Sequence, residues 1–226
     1  DAAPILPRLA PGLLVAVAVL VGSVILIPGI GLLPRLGLAI GAGLLPASLQ
    51  PLFGRSIRRT PLAVWGMAIA HLGVAVAILG MASDSAFTRE KLAAALPGET
   101  VEVGPWLVEF RQVMPAAGPN WTALEGELRA WKGSGVTVLK AQSRVFPSPP
   151  TTTNEAAIDT SWNGQLYAVL GEQDERGRWQ LRLWWKPFVT LIWLGGALIG
   201  LGGLLALIGR LVRERRQRIR GEEAFL

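Results

Sequence analysis

The single histidine of this 226-residue chain, His71, stands in the apolar run "WGMAIAHLGVAVAILG" at residues 65–80. An ionisable side chain inside hydrocarbon is costly and normally faces a cavity, a partner or a cofactor. Neutral imidazole with one nitrogen held by an acceptor is the usual ligand of haem iron and of other metals. The same ring can instead bridge two helices by a hydrogen bond or relay a proton, so the residues alone leave three chemistries open. Around it Gly66, Ala70, Gly73, Ala77 and Gly80 recur at helical spacing, a small-residue stripe along which another helix or a flat ligand can reach the backbone. His71 lies about 100° round from Ala70, beside that stripe.

Other chemistries are excluded by composition. With no cysteine there is no disulfide, no thiol redox pair, no iron-sulfur ligand set and no C-x-x-C-H haem attachment site. With one histidine there is no H-E-x-x-H pair, no zinc cluster and no Ser-His-Asp arrangement, and neither a Walker A loop nor G-x-G-x-x-G follows a strand. Hydrolase and ATPase readings fail, and His71 is left as the candidate cofactor-binding and metal-ligating residue.

The elements that must position it belong to a membrane. Hydrophobic residues make up 51% of the chain and mean hydropathy is +0.42, more than one soluble core of this length needs. The net charge of +6 is not spread over a nucleic-acid-binding surface. Nine of the 22 basic residues fall in two short segments beside apolar runs: Arg55, Arg58 and Arg59, then Arg210, Arg213, Arg215, Arg216, Arg218 and Arg220. Residues 11–53 read as two short spans or a re-entrant hairpin, interrupted by Pro28, Pro34 and Pro46. The Arg loop at 54–60 leads to a span at 61–83 carrying His71, and a last span occupies 188–209. Cytoplasmic retention of Lys and Arg predicts that the Arg loop and the basic tail at 210–226 are inside and that residues 84–187 are outside. In the last span, a G-x-x-x-G pair at Gly196 and Gly200 predicts close helix contact. The start at Asp1, without Met or leader, predicts the C-terminal part of a longer membrane protein.

Residues 84–187 hold 11 basic and 12 acidic side chains, a nearly neutral soluble domain long enough for a modest core. "SAFTREKLAAAL" reads as a short helix with Ser85 or Thr88 as cap. After it the period becomes two: "ETVEVGPWLVEFRQV", "TALEGELRAW", "VTVLKAQSRVF", "QLYAVLGE" and "WQLRLWW" alternate apolar and polar residues, as antiparallel strands do. Trp106, Trp121, Trp131, Trp162 and Trp179 sit within this pattern and are expected in its core, whereas Trp184-Trp185-Lys186 reads as an aromatic belt at the membrane surface. Pro147, Pro149 and Pro150 predict an extended link. The fold class is thus a polytopic α-helical membrane protein of about four spans with an inserted small β-rich domain.

Taken together, "WGMAIAHLGVAVAILG", "LPGETVEVGPWLVEF", "RVFPSPPTTTNEAAIDTSWNGQLYAVLGE" and "WQLRLWWKPFVTLIWLGGALIGLGGLLAL" resemble the C-terminal region of the CcmF family, the membrane haem-lyase subunit of cytochrome c maturation; a nitrite-reductase-pathway counterpart is similar here. The resemblance covers nearly everything from Pro61 onward. It implies a bacterial inner-membrane, multi-pass subunit whose domain at 84–187 is periplasmic and whose C-terminus is cytoplasmic. The implied work is attachment of haem to apocytochrome c by thioether formation, with a haem-loaded chaperone, other maturation subunits and membrane lipid as partners and no nucleic acid. His71 matches the family's axial ligand to the iron of a bound haem b. The opposite ligand and the Trp-rich haem-handling loop belong to upstream sequence, so this stretch alone is not catalytic and contributes no catalytic residue. In that context Arg144 and Glu155 are candidates for receiving chaperone or apocytochrome. The competing expectation is a non-catalytic membrane scaffold whose histidine only bridges helices.

Overall fold

The computed structural model describes residues 6–56 and 58–223, which form two compact units, one of helices and one of strands. The last three residues of the basic tail, 224–226, lie outside the described residues.

The helical unit contains α1 (Leu6–Leu26), α2 (Leu32–Leu49), α3 (Leu62–Phe87) and α4 (Thr190–Glu223). Each contains a stretch long and apolar enough to cross a membrane. At about 1.5 Å per residue, the 26 residues of α3 span roughly 39 Å, more than the ~30 Å of hydrocarbon. The first two helices form a hairpin. Pro28 and Gly29 break the helix between them, and the Arg35 guanidinium on α2 donates to the carbonyls of Ile27 and Pro28, both at 3.0 Å, satisfying groups freed at the end of α1. The buried Ser23 and Ser48 hydroxyls donate to Leu20 and Leu44 of their own helices, so neither polar group is left unpaired in the apolar layer.

These helices meet through glycine. A Cβ on Gly12 would lie 2.7 Å from the Gly43 carbonyl oxygen, so α1 and α2 touch backbone to backbone; Gly37 and Gly41 of α2 lie against Ala82 and Leu79 of α3. Between α3 and α4 the seam has a period of seven: Gly66, Gly73 and Gly80 on one helix, Gly195, Gly202 and Gly209 on the other. The partner of the small-residue stripe is therefore α4. The expected pair Gly196 and Gly200 is not in this seam, since a Cβ on either meets nothing within 4 Å. Seven residues is about two helical turns and returns to nearly the same side, while Gly196 is turned about 100° away from Gly195.

Phe87–Thr190 forms a β-sandwich. Its strands are β1 (Arg89–Ala95), β2 (Thr100–Val103), β3 (Trp106–Ala117), β4 (Thr122–Lys132), β5 (Gly135–Pro147), β6 (Pro150–Glu155), β7 (Ala157–Ser161), β8 (Gly164–Gln173) and β9 (Trp179–Pro187). Pairing is antiparallel throughout, in sheets ordered β1-β9-β8-β7 and β2-β3-β4-β5-β6. The alternation seen in the sequence is the alternation of burial: Leu166, Ala168 and Leu170 of β8 face Phe110, Leu128 and Leu139 of the other sheet across one core. Gly104 closes the β2–β3 turn with φ +56, and a Cβ there would strike the Trp185 ring at 2.6 Å.

Three expectations are corrected. The stretch expected to be a helix at its start is the end of α3 followed by strand β1, which pairs over seven residues with β9. Its Ala, Lys and Glu favour a helix, but a sheet edge satisfies the backbone, buries Ala95 and pairs Glu90 with Arg182, and tertiary context overrides so weak a preference. Trp185 belongs to the core rather than to a surface belt: it is 7% exposed and tilted against Trp106 at 6.1 Å, with the Lys132 ammonium 4.5 Å above its ring. Trp162, expected inside, is 84% exposed at the tip of the β7–β8 turn. Trp121, Trp131 and Trp179 are half-buried, the first two under the guanidiniums of Arg144 and Arg129. Parity in a strand decides these cases: Trp184 and Trp185 are adjacent and must face opposite sides, so only one can enter the core.

On the outer face of the second sheet, the Glu125 carboxylate accepts a hydrogen bond from Gln142 at 2.6 Å and pairs with Lys140 at 3.2 Å. These contacts hold its pKa below the ordinary carboxylate value, the Gln142 bond contributing most. A carboxylate depressed on folding stabilises the native state above its unfolded pKa and loses that contribution as pH falls through its folded value. Thermal unfolding of the sandwich followed by circular dichroism should show a midpoint falling below about pH 4.5, with part of that slope absent in Glu125→Gln. An unchanged slope would assign the acid sensitivity to other carboxylates.

Candidate functional site

His71 occupies a side of α3 that neither neighbouring helix covers. One line of the helix, Gly66-Gly73-Gly80, abuts α4; another, Ala75-Leu79-Ala82, abuts α2. Between them, at about 100° per residue, fall Met67, His71, Val74 and Met81, and all four are exposed. Position in sequence dictates this. His71 is five residues from Gly66 and two from Gly73, so it cannot share their line.

The imidazole Nδ1 lies 2.8 Å from the carbonyl oxygen of Met67, one turn earlier. A carbonyl only accepts, so Nδ1 carries a proton and donates, and in the neutral ring the proton-free nitrogen is then Nε2, directed away from this bond. The ring is thereby fixed in one tautomer by its own backbone, the arrangement found behind many metal-bound histidines. Apolar side chains flank it on the open face. Among the described residues, this hydrogen bond of the ring goes to its own helix.

Among the described residues, no group of three or more His, Cys, Asp or Glu is placed to hold a metal ion. A bare ion needs three or four protein donors, whereas iron in a macrocycle brings four ring nitrogens and asks the protein for one or two axial ligands. One presented nitrogen on an apolar face suits the second demand. Met67 was not visible to sequence reasoning as a partner. Any helical His can reach the carbonyl four residues back, but its rotamer decides whether it does.

Arg144 and Glu155 lie on neighbouring strands, β5 and β6, on the outer face of the second sheet. The Arg144 guanidinium covers Trp121 at 4.4 Å and its Nε donates to Gln142 at 2.8 Å; Glu155 accepts from Thr153. The structure brings these two to one face of the strand unit, and His71 belongs to the helical unit. Pro147 and Pro150, read as part of an extended link, close the β5–β6 hairpin instead.

Comparison with known proteins agrees with this architecture. Residues 86–187 match the family model described as the CcmF C-terminal beta-sandwich, the span of the strand domain. The chain is 39% identical over 158 residues to the cytochrome c-type biogenesis protein CcmF of Escherichia coli, covering 70% of this chain and 24% of that protein. It is 32% identical over 222 residues to CcmF of Pseudomonas fluorescens, covering 94% of this chain and 34% of that protein. The cytochrome c-type biogenesis protein NrfE of Haemophilus influenzae shares 29% over 153 residues. In fold, a solved structure described as cytochrome c heme lyase CcmF superposes with a TM-score of 0.68 at 24% identity, covering 87% of this chain and 33% of that one. The chain spans about a quarter to a third of the length of these relatives. Family model, sequence and fold converge on one assignment: this chain belongs to the CcmF family of cytochrome c-type biogenesis proteins and corresponds to its C-terminal region.

Proposed function

We propose that this chain forms part of a membrane haem-lyase subunit of cytochrome c maturation and that His71 supplies one axial ligand to a b-type haem. The observation that carries the proposal is the fixed Nδ1–H to Met67 carbonyl bond, which leaves Nε2 presented from an uncovered apolar face of a membrane helix. Bound there, haem b supplies a one-electron redox centre within the membrane. The protein's own contribution is positional. Met67 orients the imidazole, Val74 and Met81 line the same face, and the α3–α4 glycine seam keeps that face rigid while leaving it open. The second axial ligand comes from sequence outside this stretch, as does the machinery that joins haem to the thiols of apocytochrome c.

The sandwich then stands on the periplasmic side, where apocytochrome, haem-loaded chaperone and the other maturation subunits dock, and Arg144 and Glu155 are its candidate contact residues. Arg55, Arg58 and Arg59 before α3 and Arg210, Arg213 and Arg215 at the end of α4 support that orientation, because Lys and Arg are retained on the cytoplasmic side. An alkaline-phosphatase reporter inserted at the Gly133 turn should be active and one fused after Leu226 inactive. The reverse pattern overturns the orientation. The haem assignment is tested by the absorption spectrum and haem content of the full-length protein carrying His71→Ala.

A further inference from the structure

At the end of the α3–α4 seam the two helices and the residues just before α3 line an open cavity of about 770 Å³. The seam ends where Gly209 touches Ala63, since a Cβ on Gly209 would lie 2.6 Å from the Ala63 nitrogen; α3 begins at Leu62, while α4 continues to Glu223. The space so opened has two walls of different chemistry. Leu62 and Val212, both exposed apolar side chains, face it at the margin of the two membrane spans. Arg59, Arg210 and Arg213 line it as well, and no carboxylate is among the described residues that line it. Glu214, outside the cavity, pairs with Arg210 through Nε at 2.8 Å, which among the described residues leaves Arg59 and Arg213 as an unbalanced pair of cations.

We propose that this cavity is a binding site for an anionic phospholipid, its headgroup phosphate held by Arg59, Arg213 and the free donors of Arg210, and its acyl chains lying along Leu62 and Val212. The combination selects the ligand class. Guanidinium forks match phosphate oxygens and are enough for a free anion, but the apolar wall beside a membrane span suits only an amphiphile. A lipid held there ties the start of α3 to the last membrane turn of α4, at the point where the glycine contacts stop. The inference rests on this cavity alone and is independent of the haem reading.

The test is native mass spectrometry of the detergent-purified chain with added phosphatidylglycerol, phosphatidylcholine or inorganic phosphate. Phosphatidylglycerol should be retained in preference to phosphatidylcholine, and its half-saturating concentration should rise roughly fivefold per arginine removed, about 25-fold in Arg59→Gln/Arg213→Gln. Arg55→Gln/Arg58→Gln removes two charges from the same loop without touching the cavity, and should leave binding within about twofold. All four arginines are exposed, so the folded state should survive; if the double variant does not purify, Arg213→Gln alone gives the fivefold arm. Equal retention of phosphatidylcholine, equal losses in the two double variants, or displacement of the lipid by millimolar inorganic phosphate would each overturn the proposal, the last by showing a site for the free anion.

Discussion

In the full-length protein, His71→Ala is expected to strip the haem proposed for this face or leave it with an open coordination position, at no comparable cost to folding. Two magnitudes separate this outcome from its alternative. A histidine that bridges membrane helices is worth about 1 kcal/mol, and its loss leaves haem content and spectrum alone. An axial ligand contributes far more: even residues that merely orient a metal ligand cost roughly 10- to 100-fold in metal affinity when removed, so loss of the ligand itself should exceed that range. The ring's recorded hydrogen bond goes to its own helix and its face is uncovered, so alanine should change the stability of the apoprotein by no more than about 0.5 kcal/mol. The reduced absorption spectrum should shift, thioether formation on a C-x-x-C-H acceptor should fall, and imidazole added to His71→Gly should restore part of the spectrum. Wild-type haem content, spectrum and potential in His71→Ala would remove the site assignment while leaving membership of the family untouched.

The second large effect lies in the seam. Gly73→Leu should separate α3 from α4, because even a Cβ at that position would lie 2.7 Å from both the Gly195 carbonyl oxygen and the Ile199 nitrogen. Those are backbone atoms of a helix and cannot swing aside as a side chain would, so the helices themselves must move apart. Overpacking of this kind costs about 1–3 kcal/mol and more where backbone is struck. Gly202→Leu should behave alike, since its Cβ would meet the Ala70 nitrogen at 2.4 Å. In contrast, Gly196→Leu together with Gly200→Leu should leave the thermal midpoint of this chain in detergent nearly unchanged, both positions facing open space. If the two pairs of substitutions destabilise equally, the seam has been assigned to the wrong face. Seam variants that also lose haem would indicate that the open face bearing His71 is held in place by α4.

How much of this could be read from residues alone differs by element. The membrane class, four apolar helices and a β-rich insert followed from run length and from the change of period after Pro97, because burying apolar surface makes those patterns obligatory. Most strands of the sandwich were legible for the same reason: Leu166, Ala168 and Leu170, or Leu181 and Leu183, must face one side when their neighbours are polar. Strand β1 was not, because Arg89–Ala95 carries a helical preference and no alternation, and only the presence of β9 as a pairing partner turns it into an edge strand.

The sequence by itself determined that one imidazole would sit in a membrane helix beside a stripe of small residues, since type and spacing depend on nothing else. Tertiary structure decided what each of these faces. It gave the stripe to α4 through glycines seven apart, left His71 on the uncovered side with its tautomer set by Met67, and sent Trp185 inward and Trp162 outward. The physical reason is that helical and strand periods fix the angles between side chains on one element, whereas the choice of which angle is covered belongs to the partner element. That partner is found only when α3 and α4, separated by a whole sandwich in sequence, come together in space.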